Sequence, residues 1–188
     1  QKPIAVVLPE TTKEVSLILK YCYDNNVKVV PRGAGTGLSG SALPLEDSVL
    51  VVLGKFNKIL EIDFENRCVV TQPGVTNLSI TGAVQHEGFY YAPDPSSQMA
   101  CSIGGNISTN AGGVHSLKYG VTTNNVLGVE MVLIDGTIIR LGGKNLDAEG
   151  YDLLGVVTGS EGLLGVITEI TVKILKKPIV TTDVASSE

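Results

Sequence analysis

Pro31-Arg32-Gly33-Ala34-Gly35-Thr36-Gly37-Leu38-Ser39-Gly40 is the stretch around which the chain is organised. It follows the β-branched run Val27-Lys28-Val29-Val30 and places glycines at 33, 35, 37 and 40. Glycine accepts positive φ and lets another group approach the backbone closely. A row of unshielded backbone N–H groups is a nest for an anion, most often a phosphate. Thr36 and Ser39 add hydroxyl donors. The stretch therefore predicts that residues 32–40 receive the pyrophosphate of a nucleotide or dinucleotide. The competing reading is a glycine-rich surface turn.

Gly35-Thr36-Gly37-Leu38-Ser39-Gly40 matches the GxGxxG pattern of Rossmann folds, but its surroundings do not. That pattern must open a helix and needs an acidic residue further on for a ribose. Here Pro44 would interrupt a helix, and the chain runs into the strand-like Val49-Leu50-Val51-Val52-Leu53. No acidic residue stands at the required spacing.

Outside this loop, 188 residues suffice for one substantial core or two small subdomains. A hydrophobic share of 43% against 18% charged residues is that of a globular protein. A net charge of −5 with no basic run, and the absence of Trp, argue against a nucleic-acid partner. No apolar run approaches the ~20 residues of a membrane span, and no signal peptide is visible. Cys22, Cys68 and Cys101 show neither a disulfide framework nor ligand spacing, and no metal site is expected. Reduced, buried thiols and a cytoplasmic location are the expectation. Gln1 followed at once by a strand reads as a fragment of a longer chain, and 178–188 as a flexible tail.

Ile4–Val7 reads as a strand. Thr11 and Glu14 have capping-box spacing, and Val15, Ile18, Leu19 and Cys22 share one helical face. With Val27–Val30 and Val49–Leu53 they make a small α/β subdomain over 1–54. Residues 55–177 read as a second subdomain, a mainly antiparallel sheet with two or three helices. Its elements are a hairpin around Phe64–Arg67, a helix over Asn77–His86 stopped by Gly88, and a strand at Phe89–Ala92. A hairpin follows with Asp135-Gly136 in a type I′ turn, then a short apolar segment at Tyr151–Val157 and a long strand at Val166–Ile174. The fold class is α+β. No internal repeat is present. Two stretches remain: the rigid turn Pro93-Asp94-Pro95-Ser96-Ser97, and Ser102–Gly113, where glycines alternate with short polar side chains. The apolar neighbours Cys101, Ile103 and Ile107 make the latter a site lining for a polar heterocycle or ribityl-like ligand more than a solvated loop. His86 and His115 receive no role.

Taken in order, Arg32–Gly37, Gln72-Pro73-Gly74, Ser102–Gly113, Lys118-Tyr119-Gly120 and Gly159–Thr168 resemble the flavoprotein family of vanillyl-alcohol oxidase and p-cresol methylhydroxylase. Within it, Tyr91–Gln98 and Asn110–His115 are most similar to the FAD-linked subunit of glycolate oxidase and related D-lactate dehydrogenases. The resemblance implies a two-subdomain FAD-binding domain. It implies pyrophosphate contacts at Arg32, Gly33, Ala34, Gly35, Thr36, Gly37, Ser39 and Gly40. Ribityl and flavin contacts are implied at Pro93, Asp94, Ser97, Ser102, Gly104, Gly105, Asn106, Ser108, Thr109, Asn110, Gly112 and Gly113. The adenine end falls at Gly162, Val166 and Ile167, with further contacts at Gln72 and Tyr119.

Ala34-Gly35 stands where some relatives carry a flavin-linking His, so noncovalent FAD is expected. The implied reaction is oxidation of a 2-hydroxy acid, glycolate or D-lactate, with hydride passing to flavin N5. The substrate cap domain would lie outside this chain, so no catalytic side chain is named. Iron–sulfur or other electron-carrier subunits are the implied partners, and a complex could hold the protein at a membrane surface. An NADPH-using reductase of the same fold and a non-catalytic nucleotide-binding module are the alternatives.

Overall fold

The computed structural model describes residues 2–145 and 150–178. The chain opens with β1 (Ala5–Val7), α1 (Thr12–Asp24), β2 (Lys28–Arg32) and β3 (Ser48–Val52). The three strands form a parallel sheet in the order β1–β3–β2. Parallel neighbours need a crossover. Between β1 and β2 it is α1; between β2 and β3 it is the glycine-rich segment 33–47, which contains no helix. The loop thus leaves the end of an edge strand with its backbone uncovered.

α1 begins at the expected capping box, in which Thr11 Oγ1 accepts from Glu14 N at 3.2 Å and Glu14 Oε2 accepts from Thr11 N at 3.3 Å. Its apolar face buries Val15, Leu19 and Cys22.

The second part contains β4 (Ile59–Asp63), β5 (Cys68–Thr71), α2 (Asn77–Val84), β6 (Phe89–Tyr90), α3 (Ile103–Thr109), α4 (Ser116–Tyr119), β7 (Val126–Val132), β8 (Ile138–Gly142), α5 (Leu153–Val157), β9 (Val166–Lys173) and β10 (Leu175–Lys176). Five strands pair antiparallel in the order β4–β5–β9–β7–β8, and β6 pairs with β10. α2 and α3 cover the sheet through Ile80, Ile103 and Ile107, packed on Val69, Met131 and Ile170. A second core joins both parts: Val15 and Leu19 of α1 and Val51 of β3 meet Val132 of β7 and Val166 of β9. The architecture is the expected α+β arrangement.

Three local expectations are corrected. Residues 103–109, to which the sequence reading assigns no helix, are helix α3, capped by Ser102, whose Oγ accepts from Gly105 N at 3.4 Å. Gly104 and Gly105 argue against a helix by propensity, but burial of Ile103 and Ile107 against the sheet outweighs it. The β7–β8 connection is not type I′, which needs positive φ at both central residues; only Gly136 is left-handed, at φ 87°. Gly136 N donates to Leu133 O at 2.9 Å and Leu133 N to Thr137 O at 2.8 Å, the pattern of a tight turn closed by a glycine bulge. The α2 helix stops at Val84, and Gln85–Glu87 forms a 3-10 turn ending at Gly88. Most of the expected tail, residues 179–188, lies outside the described residues.

Candidate functional site

The glycine loop faces α3 across a cleft of about 150 Å³. Residues 31–37 with Ser41 and Ala42 form one wall. Ser97, Cys101, Ser102 and the α3 residues Gly104–Asn106, Ser108 and Thr109 form the other, continued by Ala111. Leu53, Pro73, Val166 and Ile167 supply an apolar end, and Glu161, Gly162 and Gly165 close the side.

The walls meet closely because side chains are missing where they touch. A Cβ on Gly33 would overlap Ser102 Oγ, and one on Gly104 would come within 2.6 Å of Pro73 Cβ. Gly35 has φ +73°, and a Cβ built there would lie 2.5 Å from the Arg32 guanidinium, which takes the space a side chain would need.

The polar inventory distinguishes the two walls. Among the described residues, no backbone N–H of residues 33–42 donates to a backbone carbonyl; the next one along, Leu43 N, donates to Gly40 O at 3.0 Å. The first turn of α3 is the opposite. Ile103 N donates to Val75 O at 2.8 Å and Gly104 N to Pro73 O at 2.9 Å, while Gly105 N is taken by Ser102 Oγ. The free donors for an anion therefore belong to the loop and not to the helix end. Arg32 adds a guanidinium for which no carboxylate lies within ion-pair distance among the described residues.

Ser108 and Thr109 spend their hydroxyl protons on Gly104 O and Gly105 O, both at 2.9 Å, which leaves them oxygen lone pairs to offer. Glu161 is the other charged residue of the lining. Its backbone is left-handed at φ 56°, its N–H donates to Ser108 O at 2.8 Å, and its Oε2 is buried with no hydrogen-bond partner among the described residues. A buried acceptor without a donor is costly, and it fits a ligand that brings hydroxyl or amine hydrogens. Open N–H donors, a guanidinium, a polar wall and an apolar end suit a dinucleotide with two phosphates, and the residues present fit FAD.

Of the residues singled out in the sequence, Arg32, Gly33, Ala34, Gly35, Thr36, Gly37, Ser97, Ser102, Gly104, Gly105, Asn106, Ser108, Thr109, Gly162, Val166 and Ile167 are brought together in this cleft. Ser39 and Gly40 line an adjoining, more apolar groove with Leu43, Leu45 and Leu163. The others lie outside the cleft lining. Gln72 zips to Lys58, donating N–H to its carbonyl and accepting its N–H on Oε1 at 3.0 Å. Pro93 is buried behind α2, where its carbonyl accepts from Asn77. Asp94 accepts from the backbone of His115 and holds its Nδ1 at 2.6 Å. Gly113 packs on Asp94, Gly112 on Ser116 and Val121, and Asn110 Oδ1 accepts from Thr123 N. Tyr119 lies edge-on to Tyr90 at 6.1 Å. Burial drives the Tyr90 phenol far above its ordinary value, whereas the neighbouring Tyr90 and Lys118 lower that of Tyr119.

Pro31, Ser41, Ala42, Leu53, Pro73, Cys101, Ala111, Glu161 and Gly165 line the cleft without having been singled out. Glu161 and Gly165 belong to the Gly159–Thr168 stretch and Pro73 to Gln72-Pro73-Gly74, so those motifs could have pointed to them. Leu53 and Cys101 carry no sequence signal beyond apolarity. All three cysteines are unpaired and buried.

A family model described as FAD binding domain matches residues 3–142. The glycolate oxidase subunit GlcD of Escherichia coli K12 is 56% identical over 177 residues, covering 94% of this chain and 36% of that protein. GlcD of Bacillus subtilis is 49% identical over the same share of this chain and 38% of its own length. The D-lactate dehydrogenase of Archaeoglobus fulgidus is 44% identical over 90% of this chain and 38% of its own length. Among solved structures, alkyldihydroxyacetonephosphate synthase superposes with a TM-score of 0.82 at 26% identity, over 93% of this chain and 32% of that one. The chain spans little more than a third of the length of these curated relatives. Among the described residues no helix is long and apolar enough to cross a membrane.

Proposed function

The chain belongs to the FAD binding domain family, and from that membership we propose that it is the cofactor-holding part of a flavin-dependent oxidoreductase acting on a 2-hydroxy acid. The observation that carries the reading is the loop of residues 33–42, whose N–H groups have no backbone carbonyl partner and follow an Arg32 with no carboxylate in ion-pair distance, both among the described residues. These groups bind and neutralise the pyrophosphate. The polar face of α3 orients the ribityl chain and the ring system, and Leu53, Pro73 and Ile167 hold the adenine in the apolar end. The absence of a His at Ala34-Gly35 makes the attachment noncovalent.

Bound FAD supplies the hydride acceptor, so that glycolate or D-lactate leaves as the 2-oxo acid. Two of the most similar relatives carry the name glycolate oxidase and a third the name D-lactate dehydrogenase, which supports this choice of substrate class. Groups that bind the substrate carboxylate and take its hydroxyl proton belong to a cap domain beyond this chain, and electrons leave to an iron–sulfur or similar carrier. Residues 1–54 and 55–177 act as the two subdomains that enclose the cofactor. The protein works in the cytoplasm, held at most peripherally to the membrane by its complex.

The test is a visible absorption spectrum of the purified chain before and after incubation with FAD and desalting. Flavin bands that persist and are released by acid are expected, together with negligible glycolate oxidation. No retained flavin, or colour that stays attached after denaturation, overturns the corresponding part of the reading.

A further inference from the structure

Asn77 is 2% exposed, opens α2, and does not line the cleft. It nevertheless touches both segments that build the polar wall. Its backbone N–H donates to Cys101 O at 3.1 Å. Its side-chain nitrogen donates to Pro93 O at 3.0 Å and to Asn106 Oδ1 at 2.9 Å. Asn106, 3% exposed, then gives a hydrogen from Nδ2 to Cys101 Sγ at 3.3 Å.

The order of these bonds removes a freedom. A side-chain amide can rotate to exchange its oxygen and nitrogen, and only its partners decide between the two orientations. Pro93 O is solely an acceptor, so the Asn77 atom facing it must be the NH2 group. The second hydrogen of that NH2 meets Asn106, where only an oxygen can receive it. Asn106 must therefore turn its oxygen toward Asn77, where it also accepts from Cys101 Sγ at 3.7 Å, and its own NH2 away from Asn77, against the thiol of a residue that lines the cleft. One hydrogen of that NH2 goes to the thiol; the other has no protein acceptor among the described residues.

We propose that Asn77 is a positioning residue that sets Asn106 as a hydrogen-bond donor toward the cofactor, so that the atom of FAD opposite Asn106 is an acceptor. This rests on the reading of the cleft as the FAD site. Replacing Asn77 by Asp offers Asn106 an acceptor and frees it to turn its own oxygen toward the cleft, where it would face an acceptor on the cofactor.

The experiment is a double-mutant cycle on FAD dissociation constants, measured by flavin fluorescence for wild type, Asn77→Asp, Asn106→Ala and the double variant. Each single change should weaken FAD by roughly tenfold, the effect of one hydrogen bond. The double variant should be no weaker than Asn106→Ala alone, because Asn77 then has nothing to orient. Effects that multiply, or an Asn77→Asp variant that binds as wild type does, overturn the inference while leaving the FAD site in place. Wild-type protein that never takes up FAD overturns the site and the inference together. Should Asn77→Asp not fold, the assigned side-chain amide resonances of Asn106 in wild-type protein decide: they should shift on FAD addition, and resonances that stay fixed reject the donor role.

Discussion

Gly37 and Gly35 separate what the fold needs from what the ligand needs. A Cβ on Gly37 meets no atom of the described residues within 4 Å, and its φ is not left-handed, so none of them excludes a side chain there. Gly37→Ala should leave the unfolding midpoint unchanged and weaken FAD by about tenfold or more, equivalent to ~1.4 kcal/mol; calorimetry and a flavin titration on the same sample check both halves. Gly35→Ala should also destabilise the protein without FAD, by roughly 1–2 kcal/mol, because its φ of +73° disfavours a Cβ and Arg32 occupies the space. Asp63 governs a different property. Hydrogen bonds from Asn66 and from Lys144 hold its carboxyl well below the usual range. Its stabilising contribution is complete above the ordinary Asp value and is lost as pH falls from there toward the lowered one. Urea midpoints measured from pH 6 downward should therefore fall below about pH 4, and Asp63→Asn should flatten that limb. An unchanged acid limb in the variant would assign the loss to other carboxylates.

At the scale of elements, α1 and α3 differ in how openly they declare themselves. α1 combines a cap, a periodic apolar face and a length of thirteen residues, from Thr12 to Asp24. Each local preference agrees with the tertiary outcome, and Thr11→Ala should cost about 1 kcal/mol, read from chemical denaturation. α3 has two glycines in its first turn and only seven residues. Its helix exists because Ile103 and Ile107 are fully buried and because Val75, Pro73 and Ser102 satisfy its leading N–H groups. Those partners come mostly from a turn before α2, distant in sequence, so no local pattern could announce them. The same holds for the Asp135-Gly136 connection, where β-branched flanks and Asp-Gly suit two turn types and the pairing register between β7 and β8 chooses one.

For the whole molecule, the decisive feature is the core shared between the parallel and antiparallel sheets. Leu19, 1% exposed, packs in a cluster that spans α1, β3, β7 and β9. Thr12 Oγ1 of α1 and Thr168 Oγ1 of β9 both donate to Glu130 Oε1 of β7, at 2.8 and 2.9 Å, and Arg140 pairs with the other oxygen of Glu130 at 2.8 Å. The two parts should therefore unfold in one transition. Leu19→Ala should lower stability by about 2–5 kcal/mol and keep a single transition by both far-ultraviolet circular dichroism and tyrosine fluorescence. Two separated transitions would show that the halves are energetically independent.

The sequence by itself determined the α+β order of elements, the capped first helix, a glycine loop in place of a helix after the second strand and the membership of the chain in an FAD-binding family. These follow from near-neighbour chemistry: periodicity, caps, and glycines whose backbone is bare. Only the tertiary structure decided that α3 is a helix, that its leading N–H groups are already satisfied while those of the loop stay open, and that Glu161 and Arg32 share one cleft. It also decided that Asn77 lies behind the wall and not in it. These depend on which distant groups meet, and a hydrogen-bond partner far along the chain leaves no periodic trace in the residue that needs it.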